Sequence, residues 1–350
     1  MTPAHAETTA SYIVVLNQSS GLANRYGTRV EHTYAALNGF SARLSQSEVR
    51  ALKADKSVAE VVPDGQVHAF GEQTNPPSWG LDRIDQRKLP LDKRYRYVTE
   101  AANVTAYVID TGVRKTHQDF GGRVTGGVDI VDGDGNPDDG NGHGTFIAGI
   151  IGGTSFGVAK KIRIEPVRVL DNSGAGSMSD VIAGIDWVTQ NARKPAVVNM
   201  SLGGPANAAL DAAVRRSIAS GVTYVVAAGS SAGDASNFSP ARVTEAITTS
   251  ATGPNDCVHP PSNFGPVIDI YAPGVNITGP WGTSDTATLT ASGTSFSSPH
   301  VAGGAGLYLA THPAATPAQV ASALIRNATR STVCNVPPNT VNLLLYTLPA

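Results

Sequence analysis

The 350-residue chain is poor in sulfur and in charge. It has two cysteines and three methionines, and Asp, Glu, Lys and Arg make up only 15% of it. Low charge beside a 41% hydrophobic content excludes disorder as the main state. Lys plus Arg (26) nearly balances Asp plus Glu (28), so no basic footprint points to nucleic acid and nothing draws the chain to an anionic membrane. No apolar run approaches the ~18 residues of a membrane span. The start, MTPAHAETTA, lacks a basic patch followed by an apolar segment, so a secretory leader is not expected within this numbering, and export would require its earlier removal. Cys257 and Cys334 spell neither a metal site nor a redox CxxC. They are either one disulfide of an exported protein or two separate thiols. What is plentiful is glycine, 37 residues, which suits tight turns and close backbone approaches.

The first ~70 residues read as a small α+β unit. SYIVVLN (11–17) and GFSARLS (39–45) read as strands, Ser45-Gln-Ser-Glu48 as a capping box opening a helix, and 58–70 as extended chain. Polar, proline-containing 71–80 reads as a linker. From residue 100 onward, apolar runs at 103–110, 162–170, 196–204 and 222–229 alternate with helical stretches at 142–153, 179–192 and 208–221. This alternation predicts an α/β domain with a mostly parallel sheet, whose sites lie at the carboxyl ends of its strands.

Asp110 ends one such strand. His143 sits in Asn141-Gly-His-Gly-Thr145 at a helix start, and Ser295 in Ser292-Gly-Thr-Ser295 at another. Alone, each has a bland reading: a strand-end cap, a structural histidine, an N-cap. Together they fit one chemistry. A serine hydroxyl becomes a nucleophile when a base takes its proton, histidine titrates near neutrality, and a buried carboxylate fixes its tautomer.

Val108-Ile-Asp110-Thr-Gly, Asn141-Gly-His143-Gly-Thr and Gly293-Thr-Ser295 resemble the three catalytic signatures of the subtilases, in that family's order Asp, His, Ser. Trp79-Gly-Leu-Asp-Arg-Ile-Asp85-Gln, Asn199-Met-Ser-Leu-Gly-Gly204 and Tyr271-Ala-Pro-Gly274 extend the likeness to the proteinase K branch and its aqualysin-type members over about 79–347. The resemblance implies a subtilisin-like three-layer domain at 72–350 and an inhibitor propeptide at 1–71, whose tail near Val67-His-Ala-Phe70 occupies the cleft. A permanent accessory domain is the alternative for 1–71. It also implies a secreted, monomeric serine endopeptidase of broad specificity that needs no cofactor for catalysis. Its peptide substrate would pair as an extra strand between Gly174-Ala175-Gly176 and Ser201-Leu202-Gly203, with Ala228 and Gly229 walling the first specificity pocket.

Three positions depart from the family. Ser230 stands where an asparagine amide usually donates to the oxyanion, so the hole is expected to be weakened. Phe146 replaces a histidine and Phe296 a methionine, both read as apolar repacking. Asp82, Asp85, Gln86 and Asp92 match a segment that supplies calcium ligands in some relatives, so the resemblance implies structural Ca²⁺ on these hard oxygens, with a solvated acidic turn as the alternative. Asp132, Asp134, Asp138 and Asp139 form a second acidic loop and a weaker calcium candidate. The family's other aspartate site is missing, its position reading Gly253. A reading from a different class remains, a catalytically silent peptide-binding homologue held by its propeptide. An unrelated α/β hydrolase would need Gly-x-Ser-x-Gly, and Ser295 has Ser297 at +2.

Overall fold

The computed structural model describes residues 8–18, 20–65 and 71–349. The chain falls into two compact units, Met1–Ala69 and Phe70–Ala350. The expectation for Val67–Phe70 lies outside the described residues.

The first unit is a four-stranded antiparallel sheet ordered Val30–Tyr34, Gly39–Ser45, Thr9–Leu16, Val58–Pro63. Alternation along Thr9–Leu16 turns Tyr12, Val14 and Leu16 into a core shared with Phe40, Leu44 and Val61. Ser45 closes a complete capping box with Glu48, and helix Gln46–Ala54 adds Val49 and Leu52 to that core.

The second unit is built on a nine-stranded sheet. Its order is Thr329–Arg330, Leu343–Leu344, Ile270–Pro273, Ile247–Thr252, Thr223–Ala227, Ala196–Met200, Thr105–Asp110, Arg163–Arg168, Val128–Asp129. All neighbours pair in parallel except the first two. The central strands are buried along their whole length, as strands covered on both faces must be. Alternate residues of Thr105–Asp110 serve different cores. Ala106 and Val108 join one with helices His143–Gly152 and Thr294–Thr311, while Tyr107 and Ile109 join another with helices Met178–Asn191 and Ala208–Ala219. The result is the three-layer, mostly parallel arrangement that the sequence predicts.

One detail differs from expectation, and one open alternative is resolved. Residues 71–74 are not linker: Gly71–Thr74 is a strand paired antiparallel with Arg94–Tyr97. Polar composition hid it, because its anchors are polar. Glu72 pairs with Arg94, and Gln73 donates to Ser155 O and accepts from Lys160. The cysteines form one disulfide, Cys257–Cys334, which ties the loop after Ile247–Thr252 to the C-terminal segment.

Candidate active site

Three chain segments meet at the carboxyl edge of this sheet. Asp110 is the last residue of its strand and fully buried. Its Oδ1 accepts from the Thr111 amide at 2.8 Å and lies 2.7 Å from His143 Nδ1. His143 opens helix His143–Gly152, whose N-cap, Gly142, sits at φ 113°. There a Cβ would strike the Trp281 ring, so glycine is required on both counts. Burial opposes the charged imidazole, but the Asp110 carboxylate outweighs it, with Asp139 adding to the effect, and the pKa of His143 is raised above its usual 6.5.

Ser295 lies in the first turn of helix Thr294–Thr311, behind Gly293. Its hydroxyl donates to Ser201 O at 3.2 Å, and among the described residues it makes no hydrogen bond to the imidazole. Ser201 answers by donating from its own hydroxyl to Ser295 O at 2.8 Å. The Asp110–His143 bond is therefore made, and the Ser295 hydroxyl points to the neighbouring backbone.

Ser230 is exposed, and its Oγ lies 3.4 Å from Thr294 Oγ1, which already accepts from the Gly229 amide at 3.1 Å. Sequence reasoning passed over Thr294. The signal was available, because Thr294 directly precedes Ser295 at the helix start.

Gly174, Ala175 and Gly176 line one cleft of about 460 Å³ together with His143, Ser201 and Gly203. Asp171 shapes their turn, accepting from the Ser173 and Ala175 amides. Leu202, Ala228, Gly229, Ser230 and Ser295 line an adjoining cleft of about 400 Å³.

The two aromatic departures touch. Phe146 and Phe296 have ring centroids 4.7 Å apart, and Phe296 lies 5.8 Å from the His143 ring. They form a joint wall beside the His143 ring.

Asp82, Asp85, Gln86 and Asp92 share one turn. The Asp92 amide donates to both Asp82 Oδ1 and Gln86 Oε1, and Arg96 bridges Asp85 and Asp92. Burial pushes the Asp85 carboxyl up to about 7. Its Oδ1 is buried without a hydrogen-bond partner, an acceptor of the hard kind that suits Ca²⁺. Even so, no group of three His, Cys, Asp or Glu side chains is gathered as a metal cage among the described residues. In the second acidic loop, three of the four carboxylates have protein partners. Asp132 pairs with Arg168, Asp134 caps the Asn136 amide, and Asp139 turns inward to hydrogen-bond donors.

Residues 101–342 match the subtilase family and residues 2–70 the peptidase inhibitor I9 family. The extracellular serine proteinase of Thermus sp. (strain Rt41A) is 54% identical over 322 residues, 92% of this chain and 78% of that protein. The alkaline serine exoprotease A of Vibrio alginolyticus is 45% identical over 340 residues, 95% of this chain and 62% of that one. A crystal structure of a cold adapted subtilisin-like serine proteinase superposes with a TM-score of 0.76 at 50% identity, covering 78% of this chain and 98% of its own.

The chain belongs to the subtilase family. It is a subtilisin-like serine endopeptidase carrying an N-terminal I9 propeptide. No helix among the described residues is long and apolar enough to cross a membrane.

Proposed function

We propose that this chain is the zymogen of a secreted, monomeric serine endopeptidase of broad specificity, working through Asp110, His143 and Ser295 with a weakened oxyanion hole. The 2.7 Å bond from His143 Nδ1 to Asp110 carries the reading, since it leaves Nε2 as the free base. A turn about the Ser295 side chain releases Ser201 O and offers the hydroxyl to that nitrogen. Ser295 Oγ then attacks the scissile carbonyl carbon while its proton passes to His143. The resulting oxyanion is held by the Ser295 amide and, more weakly, by the Ser230 hydroxyl. Collapse of the intermediate expels the amine, which takes the proton from His143. Water, activated by the same base, hydrolyses the acyl-enzyme.

The peptide would lie as a strand between Gly174–Gly176 and Ser201–Gly203. Main-chain pairing reads no side chains, which supports broad specificity. The boundary near Glu72 would be the bond cut on maturation, with residues 1–71 acting until then as an intramolecular inhibitor. A structural Ca²⁺ would be held by Asp82, Asp85, Gln86 and Asp92, where it would pair the lone Asp85 Oδ1 and steady the turn without touching the reaction. Its check is a thermal melt with calcium and with EDTA, on wild type and Asp85→Asn. A calcium-dependent rise confined to wild type is expected.

A fluorophosphonate probe is expected to label the mature protein at Ser295, and Ser295→Ala to abolish labelling. Intact mass after incubation is expected to fall by the N-terminal ~70 residues. Two observations favour a second reading, a silent peptide-binding homologue. The Ser295 hydroxyl is bonded to Ser201 O, and Ser230 lacks the amide of the usual asparagine. Peptide binding without labelling, in both wild type and Ser230→Asn, would select it.

A further inference from the structure

We propose that Asp139 is a positioning residue that locks the acid and base segments of the triad to each other. This deepens the reading above and depends on it.

The helix that carries His143 has a structural gap at its start. Its N-cap is Gly142, which has no side chain to accept from the first-turn amides. Asp139, three residues upstream and buried, supplies that acceptor. Its Oδ1 accepts from the Asn141 and Gly142 amides at 3.0 and 2.8 Å, and its Oδ2 from the Thr145 amide and hydroxyl at 2.8 and 2.6 Å. These four bonds fix the turn on both sides of His143.

A fifth bond crosses to the other segment. Thr111, directly after Asp110, donates its hydroxyl to Asp139 Oδ1 at 2.9 Å and accepts from the Gly144 amide at 2.9 Å. Thr145 makes a matching crossing, because its hydroxyl accepts from the Arg114 amide at 2.9 Å. One carboxylate and two threonine hydroxyls thus join the strand end bearing the acid to the helix start bearing the base. The 2.7 Å Asp110–His143 bond is held by this frame as well as by its own attraction. The charged groups facing His143 are Asp110, from the strand, and Asp139, from its own loop. The helix Thr294–Thr311 presents the uncharged Phe296.

Asp139→Asn is nearly isosteric but sets a donor amide against the Thr145 amide or the Thr111 hydroxyl, and it removes a negative charge near the imidazole. On the mature enzyme, kcat is expected to fall about 10–100-fold with KM within about twofold, and the acid limb of the kcat–pH profile to move to lower pH. A folded Asp139→Asn with kcat within about twofold of wild type and an unmoved limb would overturn the proposal. Should Asp139→Asn fail to fold, Thr111→Val is expected to lose about tenfold in kcat and Thr111→Ser to restore it, and equal activity of the two would count against the frame. Wild-type protein that neither hydrolyses casein nor takes up a fluorophosphonate would instead sink the triad reading. NMR titration of the His143 ring then decides for Asp139. Its pKa falls in Asp139→Asn if the contact is as described, and an unmoved pKa overturns the proposal.

Discussion

The two walls of the cleft are built to different standards. On the acid–base wall, both groups are locked. Asp110 is bonded to His143 and to the Thr111 amide, and the loop before His143 is closed by Asp139. On the nucleophile wall, contacts are long or point elsewhere. Ser295 donates to Ser201 O at 3.2 Å, and Ser230 reaches Thr294 at 3.4 Å from an exposed position. Two of the three departures from the family pattern, Ser230 and Phe296, lie on this second wall. In the proposed mechanism one wall moves the proton and the other stabilises the charge that the transfer creates. These are separable properties.

The comparison breaks if the firm wall proves dispensable. Asp110→Asn keeps the shape but supports the wrong imidazole tautomer, and kcat for peptide hydrolysis is expected to drop about 10⁴-fold. A loss below tenfold would mean that the short bond to His143 is structural only. The loose wall is tested by repair. Ser230→Asn supplies a longer donor at the oxyanion, and kcat is expected to rise about 10²–10³-fold with KM little changed. No gain would place the missing donor elsewhere, with Thr294 the first residue to examine.

How much of this contrast can be read without coordinates depends on what carries each feature. Strands and helices around Asp110, His143 and Ser295 are legible because periodicity and burial agree there, and the three side chains are marked by the glycines that let backbone approach them. The capping box at Ser45–Glu48 is legible because it is wholly local. Asp139 was hidden among acidic neighbours that suggest a cation loop. Only the fold shows that it alone turns inward, while Asp132 meets Arg168 from another strand. Strand Gly71–Thr74 was hidden for the same reason, its partners being 20 or more residues away. Long-range polar contacts leave no periodic trace.

The helices His143–Gly152 and Thr294–Thr311 each carry one histidine, and the two respond to pH in opposite ways. His143 is held above 6.5, so its proton persists in the folded state after the unfolded chain has lost it. Its pairing with Asp110 stabilises the fold below pH 6.5, and the benefit is lost as pH rises through the raised folded value. The proposed mechanism needs the neutral ring, so the acid limb of kcat/KM is expected above pH 6.5. His300, in the helix of Ser295, is fully buried, and burial lowers its pKa to about 4, only partly offset by its hydrogen bond to Phe296 O. Between pH 6.5 and 4 the unfolded chain binds the proton that the fold refuses, so stability falls as pH falls through that window. This one group costs on the order of 3 kcal/mol by the lower end. Denaturant midpoints across pH 4–7 for wild type and His300→Gln check it, the variant being expected to show a flatter acid slope.

The smallest effect concerns the aromatic pair that joins the walls. Phe296 touches Phe146 at 4.7 Å and the His143 ring at 5.8 Å, so the residue beside the nucleophile also braces the base. Phe296→Met keeps most of the volume and the apolar character, so a cost below about 1.5 kcal/mol in stability is expected. What it loses is a flat edge against two rings, and aromatic pairs contribute about 0.5–1.5 kcal/mol beyond the area they bury. Phe146→Leu should lose the same term from the other side. If the rings act as one brace, a double-mutant cycle on thermal stability should show a coupling of that size, with kcat falling less than about tenfold in either single variant. Additive effects would mean that the two phenylalanines merely fill space, and that nothing in the nucleophile helix steadies the imidazole.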